Sequence, residues 1–119
     1  MAAANYNLVI EKGTTFKQRF IWKQKTTGEP VNLTGYTAKM QIRPSEKNNK
    51  IIIELSTENS RIVLTEAEGI IDLFLEDEDT VSLSDTEGVY DLLLTASNGD
   101  VVKLVRGKAT LHDVVTRNA

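Results

Sequence analysis

Val89-Tyr90-Asp91-Leu92-Leu93-Leu94-Thr95, followed by Ala96-Ser97-Asn98-Gly99-Asp100 and then Val101-Val102-Lys103-Leu104-Val105, is the stretch whose reading decides the fold. Asn-Gly between two apolar runs is the strongest short-range signal for a β-hairpin, because the tight turn needs positive φ and these residues tolerate it. Downstream, Gly107 predicts a bend or bulge, and Ala109, Leu111, Val114 and Val115 supply a last strand. Upstream, the hydrophobic period is two rather than 3.6 nearly everywhere, which is the period of half-buried strands.

Tyr6, Leu8 and Ile10 alternate with Asn7, Val9 and Glu11, and Gly13 then breaks the run. Phe16, Gln18, Phe20 and Trp22 share one face of the next strand, with Lys17, Arg19, Ile21 and Lys23 opposite. Lys25 to Pro30 is a turn, Val31 and Leu33 are a short apolar pair, and Tyr36, Ala38, Met40 and Ile42 alternate as far as Pro44. Proline has no N–H for a ladder and ends that strand. Ser45 to Lys50 is a polar loop; Ile51, Ile53 and Leu55, then Ile62 to Leu64, then Ile71, Leu73 and Leu75 are further strands. The one helical expectation is a turn or two within Glu76–Leu83, whose acids suit the positive end of a helix dipole. Eight or nine short strands at this spacing predict an all-β antiparallel sandwich or barrel, and the absence of alternating helices argues against a parallel sheet.

A length of 119 residues suits one domain, expected over 1–119 with flexible ends at 1–4 and 116–119. Without cysteine there is no disulfide framework, thiolate metal site or cysteine nucleophile. No apolar run approaches the roughly 20 residues of a membrane helix, so no membrane partner is expected. The N-terminus lacks the basic and apolar segments of a secretion signal. Residues 1–61 carry ten Lys/Arg against five Asp/Glu, whereas 62–119 carry four against twelve. Either adjacent strands bring the two signs together, or the molecule has opposite faces suited to head-to-tail or ring packing. A pI near 5.2 does not favour a nucleic-acid partner.

Catalytic chemistry is not visible. His112, the sole histidine, neighbours Asp113 on a strand, which points the two side chains to opposite faces. Glu76 to Asp79 offers four carboxylates in a solvated stretch with nothing nearby to raise a pKa, and its spacing is not that of an EF-hand. The seven glycines are single and build no phosphate cradle. Lys17, Arg19 and Lys23 alternate with Phe16, Phe20 and Trp22, so base-stacking aromatics and phosphate-binding cations would lie on opposite faces. The expectation is a chain without catalytic, cofactor-binding or metal residues.

Asp85 to Leu92 resembles the tyrosine corner of immunoglobulin-like domains. There a small residue begins the strand, a tyrosine hydroxyl bonds backbone just upstream, and the residue two further on points into the core. Gly88, Tyr90 and Leu92 fill those places, with the acid one position further upstream than usual. The corner sharpens the fold expectation to an immunoglobulin-like sandwich of about eight strands.

A wider resemblance rests on Lys12-Gly13-Thr14-Thr15-Phe16, on Gly28-Glu29-Pro30-Val31-Asn32-Leu33-Thr34-Gly35-Tyr36-Thr37-Ala38, and on Gly88 to Leu92, Asn98-Gly99-Asp100 and Leu104 to Leu111. Together these pieces resemble small β-sandwich structural proteins of tailed bacteriophages, especially the N-terminal domain of upper baseplate proteins. The resemblance implies a non-catalytic virion protein, made in the host cytoplasm, that oligomerises and docks or anchors tail or baseplate components. Baseplate members often continue into receptor-binding regions, whereas this sequence ends with the sandwich, which favours an adaptor, connector, neck or head-decoration role. Val9, Ile21 and Phe74, apolar residues on otherwise polar strand faces, are the candidate contacts. The alternative is a module binding a carbohydrate or host protein through the loops Thr26–Glu29, Ser45–Lys50 and Ser97–Asp100.

Overall fold

A computed structural model describes residues 3–116. Nine strands follow in order: β1 (Ala4–Asn5), β2 (Leu8–Glu11), β3 (Phe16–Ile21), β4 (Thr37–Arg43), β5 (Ile53–Ser56), β6 (Ile62–Thr65), β7 (Ile70–Leu75), β8 (Glu87–Thr95) and β9 (Val101–His112). The larger sheet runs β1-β9-β8-β4-β5, with β2 also paired to β9, and the smaller runs β3-β7-β6. The chain is an all-β sandwich, with one apolar cluster between its sheets.

The β8–β9 hairpin is the spine. Along β8 the burial alternates without a break, so Gly88, Tyr90, Leu92 and Leu94 face inward. Asn98 and Gly99 sit at its tip, where Ala96 N–H donates to the Asp100 carbonyl at 2.8 Å and Gly99 takes a φ of 94°. In β9, Leu92 pairs with Val105 but Leu93 pairs with Lys103, so the extra residue of the bulge is Leu104. A bulge shifts the side-chain alternation by one residue, which lets the adjacent Leu104 and Val105 both turn toward the core.

Gly107, expected at the bend or bulge, has a different task. It lies opposite Tyr90, and a side chain there would collide with the Tyr6 carbonyl oxygen. Its bare backbone lets the N-terminal segment approach, and Tyr6 N–H donates to the Arg106 carbonyl at 2.9 Å. That segment also departs from the antiparallel expectation. Leu8 to Glu11 run parallel to Ala109 to His112. Parallel neighbours need a long connection, and the rest of the fold between the first and last strands provides it. The break at Tyr6 and Asn7 leaves Tyr6 46% exposed, edge-on to Phe20 at 5.4 Å, while Leu8 and Ile10 are buried.

The helical expectation holds for a single turn, α1 (Asp77–Thr80), closed by a capping box in which Glu76 N–H donates to Asp79 Oδ2 at 2.8 Å. Buried Thr80 accepts the Gly13 N–H on Oγ1 at 2.9 Å and fastens α1 under the start of β3. Pro30 bridges Lys23, and Leu33 is buried without belonging to a strand. The end segments expected to be flexible lie partly outside the described residues; within them, Ala4 is paired with Val105.

The two charge-biased halves are interleaved. Lys12 with Asp113, Arg19 with Asp72, Lys50 with Asp85 and Arg61 with Asp79 each join a cation of the first half to an acid of the second, at 2.7 to 3.1 Å. Only Arg19–Asp72 lies between paired strands; the other three join residues beside strand ends, in loops and on α1.

Candidate functional site

Tyr90 is buried, and its hydroxyl donates to the Tyr6 carbonyl oxygen. This departs from the local arrangement expected of a tyrosine corner, where the acceptor lies just upstream of the tyrosine. The reason is Gly107: with no side chain opposite, the ring lies across β9 and reaches the next segment of backbone. Burial, and secondarily the nearby Tyr6 phenol, push the Tyr90 pKa up to about 12, so the group stays a protonated donor at neutral pH. Gly88 starts the inward series where a Cβ would meet the Arg43 carbonyl oxygen at 2.6 Å, and Leu92 is fully buried. These three residues organise the core, and of them Tyr90 also lines the outer-face cleft of the larger sheet.

The outer faces of the sheets carry the accessible chemistry. On the smaller sheet, Arg19 grips Asp72 through two bonds, Nε to Oδ1 at 2.7 Å and Nη2 to Oδ2 at 3.1 Å. Ile21 pairs with Ile70 on one side of this ion pair, Lys17 pairs with Phe74 on the other, and Val63 lies across from Asp72. Ile21 and Val63 are 51% and 54% exposed. Phe74 is half-buried, with Lys17 Nζ over its ring at 5.9 Å from the centroid, an attraction between cation and ring face. Ile21 and Phe74 thus share one surface, whereas Val9 projects from the larger sheet beside Thr110. Val63 and Ile70 escape a reading of single strands because only the β6–β7–β3 register brings them beside Ile21.

The larger sheet bears a cleft of about 580 Å³ on its outer face, across β4, β8 and β9. Arg43, Lys103, Arg106 and Lys108 line it, with Asp91 and Glu46 as carboxylates. Arg43 is held in place by Gln41 Oε1, at 3.1 Å from Nε and 2.6 Å from Nη2, and by the Asn48 carbonyl at 3.0 Å. Its cations come from strands far apart in sequence, and that separation hid the cleft from sequence reading.

The loops Thr26–Glu29 and Ser97–Asp100 lie toward the end of the sandwich where β3 finishes and β9 begins, and Ser45–Lys50 follows β4 at the other end. The three loops do not converge. His112 is exposed opposite Glu11, and Asp113 pairs with buried Lys12 at 3.1 Å rather than with the imidazole. Among the described residues no group of three His, Asp or Glu side chains is placed to hold a metal ion. No described helix is long and apolar enough to cross a membrane.

No protein-family model matches the sequence, and no curated protein matches it. Solved structures match through the fold. The extracellular domain of the voltage-gated sodium channel beta4 subunit, described as forming parallel homodimers that explain a role in cell-cell adhesion, is 15% identical over 97% of both chains, with a TM-score of 0.51. The N-terminal domain of phage TP901-1 ORF48 is 11% identical over 93% of this chain and 90% of its own, also with a TM-score of 0.51. At such identities the likeness is one of fold, and the chain is an immunoglobulin-like sandwich.

Proposed function

We propose that this chain is a non-catalytic structural protein of a tailed-bacteriophage virion that self-associates and docks other tail or baseplate components. The observation that carries this reading is the outer face of the smaller sheet, where Ile21, Val63, Ile70 and Phe74 surround the Arg19–Asp72 pair. A ring of apolar side chains about one ion pair, on a face that leaves Ile21 and Val63 half in water, is the kind of exposed patch that marks an association surface. The shared fold of the phage domain supports the virion setting, and the homodimers of the beta4 domain show the same fold used for self-association.

Light scattering across a concentration series, together with mass spectrometry of purified virions, tests the proposal. The expected result is a defined oligomer that Val63→Glu dissociates without lowering the melting temperature, and a peptide signal from the particle. A strict monomer absent from virions refutes it.

A further inference from the structure

The ion pairs that join the two halves of the sequence leave a remainder of each sign. In the cleft of the larger sheet, Lys103 reaches Asp91 at 3.6 Å, but Arg43, Arg106 and Lys108 have no ion-pair partner among the described residues. Arg43 bonds neutral acceptors, so no carboxylate pairs with it directly and its guanidinium is already fixed. Less freedom is then lost on meeting a carboxylate. Of the opposite remainder, which also includes exposed Glu66 and Glu68, two adjacent acids sit on α1. Glu76 and Asp79 form its capping box and Asp79 also takes Arg61, whereas Asp77 and Glu78 are exposed and without an ion pair among the described residues.

We infer that the cleft receives α1 of a second copy of this chain, Asp77 and Glu78 of one molecule meeting Arg106, Lys108 and Arg43 of the next. The inference rests on the proposed self-association and adds a second, charged contact to it. Two observations favour a second copy as the occupant. The chain carries both complementary patches, each beyond what its internal ion pairs consume. They also belong to different layers: α1 follows β7 and is held by Arg61 beside β6 of the smaller sheet, while the cleft opens on the outer face of the larger sheet. Their charges therefore meet between molecules. Such a contact joins two different surfaces and is head-to-tail, and repeated head-to-tail contacts close into a ring or extend as a filament.

The test uses two double variants of the whole chain, Arg106→Glu with Lys108→Glu, and Asp77→Lys with Glu78→Lys. Neither pair touches the core or the capping box, and unchanged melting curves confirm that both fold. Each alone is expected to weaken assembly by about tenfold or more in sedimentation, a loss in the range of close interfacial charge pairs. An equimolar mixture restores assembly, because each variant then offers the charge the other lacks. Assembly of the wild-type chain also weakens as salt rises from about 0.05 to about 0.5 M. The inference is overturned if both variants assemble as the wild type does, or if mixing restores nothing. Val63→Glu separates the two readings. Charge variants that assemble while Val63→Glu dissociates defeat the α1 contact alone, and a wild-type monomer defeats both.

Discussion

Replacing Gly107 with alanine is expected to destabilise the fold far more than the addition of one methyl group suggests. The new Cβ would overlap the Tyr6 carbonyl oxygen and stand 2.8 Å from the Tyr6 carbonyl carbon and 3.1 Å from Asn7 Oδ1. Two of these obstacles are backbone, so no rotamer change relieves them and the segment between β1 and β2 must move off β9. Overpacking of this kind costs about 1–3 kcal/mol. Moving Tyr6 also strips the buried Tyr90 hydroxyl of its acceptor, and an orphaned buried polar group costs about 1–3 kcal/mol more. Against this, alanine stiffens the unfolded chain relative to glycine, a gain of about 0.4–1 kcal/mol where its conformation is tolerated. The net loss is roughly 1–6 kcal/mol, whose middle lowers Tm by on the order of 10 °C in a domain of this size. Urea denaturation followed by the fluorescence of Trp22 measures it. A double variant with Tyr90→Phe should lose less than the sum of the single losses, because both changes act through the same carbonyl. A Gly107→Ala chain within about 0.5 kcal/mol of wild type, the scale of ordinary surface substitutions, would refute the close approach and the explanation of the long-range tyrosine bond with it.

Two further outcomes follow from buried groups. Tyr90 is raised from 10.0 to about 12 by burial and then by Tyr6, so the folded state holds its proton more tightly than the unfolded chain. Its stabilisation is complete below pH 10 and lost as pH climbs toward 12, at up to about 1.4 kcal/mol per pH unit. Tyr90→Phe should flatten that alkaline decline, as read by denaturation at stepped pH, and equal slopes in the two proteins would contradict it. Thr80→Val removes the acceptor of the Gly13 N–H while keeping the side-chain volume, and should cost about 1–2 kcal/mol with an unchanged denaturant slope.

The strands, the Asn98-Gly99 hairpin and the two-layer architecture were legible because each is written in local alternation and turn chemistry. What escaped depended on partners remote in sequence. Leu104 and Val105 are both apolar, so nothing local marks which residue is the extra one, and the glycine two positions on is the more obvious suspect. The tyrosine was recognisable as buried, yet its acceptor lies 84 residues away. Exposed apolar residues were legible one strand at a time. Their grouping, with Val63 and Ile70 joining Ile21 and Phe74 while Val9 stands apart, depends on sheet order. The uneven charge of the two halves was plain, but only the folded contacts, most of them at strand ends, loops and α1, show how much of it cancels.

The parallel docking of β2 on β9 governs how the molecule bears mechanical load. β2 lies near one end of the chain and β9 near the other, and the two run in the same direction side by side. Tension drawn through the chain ends therefore pulls them past each other along their length. The ladder from Leu8–Ala109 to Glu11–His112 is loaded in shear, its bonds resisting together rather than peeling one by one. Tyr6, bonded to Arg106 and Tyr90 just before that ladder, reinforces the same clamp. A sandwich closed in this way resists opening by tension along the chain.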